Sequence, residues 1–114
     1  MIRKSVCAAS LAAMIVLFFT ILPGITAKAQ QPTAVEVKID NFSFGPLAPT
    51  VPVGTTVTWT NRDDIPHTVV STDGVFKSKV LDTDEKFSYT FAKAGTFAYF
   101  CSIHPKMTGK IVVQ

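Results

Sequence analysis

Residues 34–40 alternate strictly, with Val35, Val37 and Ile39 on one face and Glu36, Lys38 and Asp40 on the other. A period of two marks a half-buried strand. After a turn or bulge at Asn41 the alternation resumes through Phe44, and Gly45-Pro46 and Ala48-Pro49 then punctuate the chain. Thr50 to Val53 reads as a short extended piece that Pro52 keeps off the middle of a sheet. After a turn at Gly54, residues 55–61 form the clearest strand, with Val57 and Trp59 inward and Thr56, Thr58 and Thr60 outward. A polar loop, 62–66, leads into a strand predicted for 67–71, with His67 at its start. Residues 75–81 are irregular, and 82–85 form a polar turn. Lys86 to Phe91 alternates with Phe87, Tyr89 and Phe91 inward, 96–101 forms another strand, and 110–113 closes the domain.

No stretch after residue 29 carries an apolar helical period over ten residues. Short alternating runs with regular turn signals predict an all-β fold, an antiparallel β-sandwich or a small barrel. The aromatics Phe42, Phe44, Trp59, Phe76, Phe87, Tyr89, Phe91, Phe97, Tyr99 and Phe100 supply much of the apolar area a small core needs.

The N-terminus has a different grammar. Arg3 and Lys4 precede a run from Val6 to Leu22 that only Ser10 and Thr20 interrupt. Pro23-Gly24 ends the run, and Ala27-Lys28-Ala29 is a small-x-small site. This is the layout of a secretory signal peptide over residues 1–29, with one domain at 30–114. The absence of a twin-arginine pair makes it Sec-type, and a periplasmic location is expected. An uncleaved anchor stays open as the alternative, because the run is near the lower limit for a membrane span. Cleavage changes the charge reading: the chain has 11 basic and 8 acidic residues, and losing Arg3, Lys4 and Lys28 leaves eight of each. The basic balance therefore gives no reason to expect nucleic acid or anionic lipid as a partner. Cleavage also removes Cys7 and leaves one thiol, Cys101, which cannot staple its own fold.

Cys101 begins a tight series, Cys-x-x-His-x-x-Met, that places His104 and Met107 at intervals of three; a second His, His67, lies upstream. Two imidazoles, one thiolate and a weak thioether make up the ligand set of a type 1 copper site, trigonal with a long axial Met. Each residue alone has a blander role: Cys101 and Met107 as core filler, His67 as a partly buried imidazole, His104 as a loop residue. It is their conjunction in an all-β chain that points to copper. Strand parity sets Phe97, Tyr99 and Cys101 on one face, and Gly109 is expected to supply a positive φ for the return of the loop. The Asp63–Asp64 pair is expected to be solvated. A second copper centre would need further His ligands, and both His are already used, so the expectation is a protein that is not an enzyme.

At these residues the chain resembles the cupredoxin family, and within it the amicyanin branch, with pseudoazurin and plastocyanin more distant. The resemblance runs from about Val35 to Val113 and is densest at residues 57–67 and 94–107. It implies a Greek-key β-sandwich with one copper held at one end by His67, Cys101, His104 and Met107, cycling between Cu(I) and Cu(II). It implies a monomeric carrier that works between redox proteins, an amine dehydrogenase as donor and a c-type cytochrome as acceptor, with the His104 edge as the electron portal. Pro46, Ile65, Pro66, Ile103 and Pro105 are candidates for an apolar patch around it. The alternative is a copper-binding carrier or buffer without a dedicated redox partner. Two departures bear on the site. Thr68 stands where the branch carries Asn and is expected to tie the ligand loops through its hydroxyl. Ile103 stands where the branch carries Pro; its N–H is expected to donate to the Cys101 sulfur.

Overall fold

The structure is a computed structural model and describes Gly24 and residues 33–114. The predicted signal segment, 1–29, lies outside the described residues apart from Gly24.

Eight strands succeed one another in chain order: β1 (Ala34–Asp40), β2 (Ser43–Gly45), β3 (Thr50–Val51), β4 (Thr56–Asn61), β5 (Val70–Ser71), β6 (Lys86–Thr90), β7 (Gly95–Phe100) and β8 (Thr108–Val113). They form two four-stranded sheets, ordered β2-β1-β4-β6 and β3-β8-β7-β5. No helix occurs among the described residues, and none there is long and apolar enough to cross a membrane. The sheets are mixed rather than antiparallel: β1 pairs β4 in parallel and β3 pairs β8 in parallel. Between β1 and β4 the chain visits the other sheet through β3, so it re-enters beside β1 running the same way.

The alternating positions supply the core. Val37, Ile39, Val57 and Trp59 from one sheet meet Val51, Tyr99, Ile111 and Val113 from the other, all buried. Trp59 is the hub, with ring centroids of Tyr99, Phe76 and Phe87 at 5.4, 5.5 and 5.7 Å. On the outer face of β4 and β6, hydroxyls pair across the strands, Thr56 with Thr90 and Thr58 with Ser88, each at 2.7 Å. Thr60, predicted to face out, is buried. It sits between Lys38 and Lys86 in the ladder, and long lysine stems on one face cover a small neighbour.

Three further differences lie near the end of the sandwich that carries His67 and Cys101. The strand predicted for 67–71 shrinks to Val70–Ser71, and His67 makes only an isolated bridge to Leu81. The intervening amides are drawn elsewhere: Thr68 N–H toward the Cys101 sulfur and Val69 N–H to Ser78 Oγ at 2.8 Å. β8 starts two residues early, pairing Thr108 with Phe100 and Gly109 with Tyr99. Gly109 does not take a positive φ. It is small because the Tyr99 ring lies across it: a Cβ there would meet the Tyr99 hydroxyl at 2.6 Å.

β1 and β2 are joined by two residues, Asn41 and Phe42, with φ of 49° and 56°. A two-residue turn of this hand suits the twist of a hairpin, but its second position favours Gly. A bulky side chain in that region carries a cost of about 1–2 kcal/mol.

Candidate metal centre

Two connections converge at one end of the sandwich. The first leaves β4 at Asn61, whose buried Nδ2 donates to Ile65 O and Leu81 O, each at 2.9 Å. With the paired amides of His67 and Leu81, at 3.1 and 2.7 Å, this staples the 62–67 segment against the chain that leads to β6. His67 is thereby held fully buried. The second is the loop from β7 to β8. Cys101 follows β7 on the inward face, as parity predicts, and is fully buried. Its N–H donates to Met107 O at 3.0 Å, and Met107 N–H donates to His104 O at 2.9 Å, so the loop closes on itself in seven residues. Met107 is buried beneath it, and His104 is half-buried.

The donor atoms of His67, Cys101 and His104 all lie within 4.8 Å of one another. Both imidazoles turn Nδ1 to the sulfur, at 3.8 Å from His67 and 3.7 Å from His104. Burial raises the Cys101 thiol, but the Thr68 N–H at 3.4 Å and the neighbouring His67 and His104 outweigh it, bringing the pKa from 9.0 down to about 6. The sulfur is thus set up as a thiolate, the form that binds metal. One thiolate, two imidazole nitrogens and a nearby thioether fit a single copper ion of the type 1 kind.

Thr68 ties the two connections together as expected. Its Oγ1 accepts the Ser102 N–H at 2.8 Å and is hydrogen-bonded to Ser102 Oγ at 2.7 Å. Ile103 does not behave as expected. Its N–H is not among the partners of the Cys101 sulfur; the chain turns so that the Thr68 N–H fills that role, with the His104 amide also stabilising the thiolate. Ile103 instead turns outward, 46% exposed.

Two residues emerge that sequence reasoning assigned elsewhere. Asp63 and Asp64 part company: Asp64 is exposed, whereas Asp63 is buried and accepts from His67 Nε2 at 2.8 Å. Asp63 also accepts the N–H groups of Asn41 at 2.7 Å and Phe42 at 3.0 Å. Burial raises its carboxyl, yet the N–H of Phe42, the His67 ring and the N–H of Asn41 together hold it below the usual 3.8. Phe42, counted with the core, is 46% exposed and stands edge-on to both imidazoles, with centroids 5.6 Å from His67 and 5.1 Å from His104. The available signal was Asp63 four residues before His67 and a non-glycine pair in a two-residue turn.

The cupredoxin-like domain family matches residues 10–113. An amicyanin of Paracoccus denitrificans is 44% identical over 69 residues, 56% of this chain and 53% of that protein. Amicyanin-alpha of Methylorubrum extorquens is 38% identical over 84 residues, 69% of this chain and 71% of that protein. The chain thus spans about half the length of the first of these relatives. Among solved structures, a purple cupredoxin from Nitrosopumilus maritimus superposes with a TM-score of 0.66 at 35% identity, covering 70% of this chain and 99% of that one. With a family match running from residue 10 to 113, most of its length, the chain belongs to the cupredoxin-like domain family.

Proposed function

We propose that this protein is an exported electron carrier that holds one type 1 copper through His67, Cys101, His104 and Met107. The observation that carries the reading is the convergence of a buried sulfur and two imidazole Nδ1 atoms from two separately anchored connections. The bound copper supplies a one-electron couple between Cu(I) and Cu(II). The chain's own part is to keep the ligands still. Asn61 and Leu81 hold His67, the Cys101–Met107 hydrogen bond holds the loop, and Thr68 joins the two. Ligands on rigid supports change little between oxidation states, which favours fast transfer.

His104 is the ligand nearest solvent, and Ile103, Pro105 and Phe42 are exposed beside it in the chain or in space. That apolar rim supports docking of redox proteins at the His104 edge, a donor of the amine dehydrogenase kind and a c-type cytochrome acceptor. Residues 1–29 act as a Sec-type signal, and 30–114 form the single periplasmic domain, a monomer. With both histidines engaged at one centre, the reading is a carrier and not an enzyme.

The test is the visible and EPR spectrum of the protein after one equivalent of Cu(II), followed by its electron self-exchange rate. An intense red absorption with narrow copper hyperfine splitting and rapid exchange is the expected result. A pale spectrum with wide splitting would overturn the reading and put a copper buffer in its place.

A further inference from the structure

We propose that Asp63 is a positioning residue that acts on two metal ligands at once: on His67 directly, and on His104 through the Asn41–Phe42 turn. The inference rests on the copper reading above.

Three N–H groups converge on one buried carboxylate. Asn41 N–H donates to Oδ1, and Phe42 N–H and the His67 ring donate to Oδ2. Taking the Nε2–H fixes the tautomer of His67 so that Nδ1, which faces the Cys101 sulfur, carries the lone pair. The same carboxylate makes its ring a stronger donor and places a negative charge behind it, which favours Cu(II) over Cu(I).

The second action runs through the backbone. Asn41 and Phe42 both have positive φ, a conformation that a phenylalanine adopts only when its surroundings impose it. The two amides of that turn end on Asp63, so the carboxylate is what imposes it. The result is the pose of the Phe42 ring: 88° to His67 and 90° to His104, an edge against each imidazole. His67 is also held by its backbone bridge to Leu81, but His104 sits in an exposed loop, with Phe42 against one side of its ring. An exposed Phe in a turn that favours glycine is explained if its task is to keep His104 from turning away.

No amide can replace this carboxylate. Asp63→Asn offers one acceptor oxygen and one NH2 to three donors, so at least one N–H is left facing a donor. With the amide oxygen toward Phe42 and His67 the turn loses its Asn41 bond; with the oxygen toward Asn41 it loses its Phe42 bond, and the NH2 also stabilises the wrong His67 tautomer.

The experiment compares wild type, Asp63→Asn, Asp63→Glu and Phe42→Gly. In metal-free wild type, ring nitrogen shifts should show His67 as the Nε2–H tautomer; an Nδ1–H tautomer would overturn the proposal whatever the metal. In the copper-loaded protein, Asp63→Asn should keep the red band yet bind Cu(II) about tenfold less tightly relative to Cu(I). At one electron that is a rise of about 59 mV in potential. His104 ring signals in the Cu(I) protein should be sharp in wild type and exchange-broadened in both Asp63→Asn and Phe42→Gly. Glycine accepts the turn's φ freely, so Phe42→Gly should not lower the unfolding midpoint, and it carries the test of the His104 arm if Asp63→Asn fails to fold. Asp63→Glu, which keeps the charge, should recover most of the potential. An unchanged potential in Asp63→Asn would overturn the His67 arm. Sharp His104 signals in Asp63→Asn or in Phe42→Gly would overturn the action at a distance. A wild type that never turns blue would refute the copper reading, while the metal-free tautomer would still decide the first arm.

Discussion

Gly109→Ala tests how the ligand loop is anchored to the sandwich. The added Cβ would lie 2.6 Å from the Tyr99 hydroxyl, 2.7 Å from Cζ and 3.1 Å from Cε2. The ring cannot step aside, because Phe44 and Trp59 sit against it with centroids at 4.7 and 5.4 Å. Overpacking of this kind costs about 1–3 kcal/mol. The backbone there is ordinary, so the substitution also stiffens the unfolded chain and returns about 0.4–1 kcal/mol. The net loss should be about 1–2 kcal/mol, a drop of roughly 5–15 °C in unfolding midpoint for a domain of this size. Because Gly109 pairs with Tyr99, two residues beyond Met107 and two before Cys101, the strain should reach the copper spectrum as well. Tyr99→Phe supplies the control. The Tyr99 hydroxyl is buried with the Trp59 indole N–H as at most a weak donor toward it, outside full hydrogen-bond geometry, so removing it alone should be nearly neutral. In the double variant it should recover part of the loss, with a coupling of about 0.5 kcal/mol or more by urea unfolding. A Gly109→Ala protein as stable as wild type, or a loss that Tyr99→Phe does nothing to relieve, would refute the steric argument.

Thr68→Val keeps the shape but removes the acceptor of the Ser102 N–H, and should cost about 1–3 kcal/mol in urea unfolding. Its red absorption should persist, because the Thr68 backbone N–H still faces the sulfur. In the metal-free protein the Cys101 thiol titrates at about 6 in place of 9.0, so between those values the unfolded chain holds the extra proton. Stability should therefore rise with pH across that window, be complete above it and be lost as pH falls through the lower value. Melting curves at a series of pH values should show this slope in wild type and not in Cys101→Ser. Removing copper with a chelator should lower the calorimetric midpoint, since a ligand present at a hundred times its dissociation constant adds about 2.7 kcal/mol.

The legible part of the fold is the part that a period of two reports. Alternation records which face of each strand is buried, so Val37, Ile39, Val57, Trp59, Tyr99 and Cys101 could be assigned inward without coordinates. Local spacing did the same for Cys101, His104 and Met107, which share one short loop. Alternation is silent on which strand lies beside which, and so the parallel pairs β1–β4 and β3–β8 were not foreseen. It misassigned Thr60 because its two flanking lysines come from strands β1 and β6, distant in sequence. The same silence hid the Asp63–Phe42 arrangement. Asp63 read as half of a solvated acid pair because nothing nearby in the chain bonds its carboxylate but His67, and the carboxylate's other two partners are backbone amides 21 and 22 residues upstream. A backbone amide carries no sequence signature, since every residue but proline offers one. The trace such contacts do leave is a residue in the wrong place for its local structure, and Phe42 in a turn that favours glycine is that trace. A bulky residue where a two-residue hairpin wants Gly marks a site where some distant group holds the backbone, and here that group is a carboxylate already bonded to a histidine that faces the Cys101 sulfur.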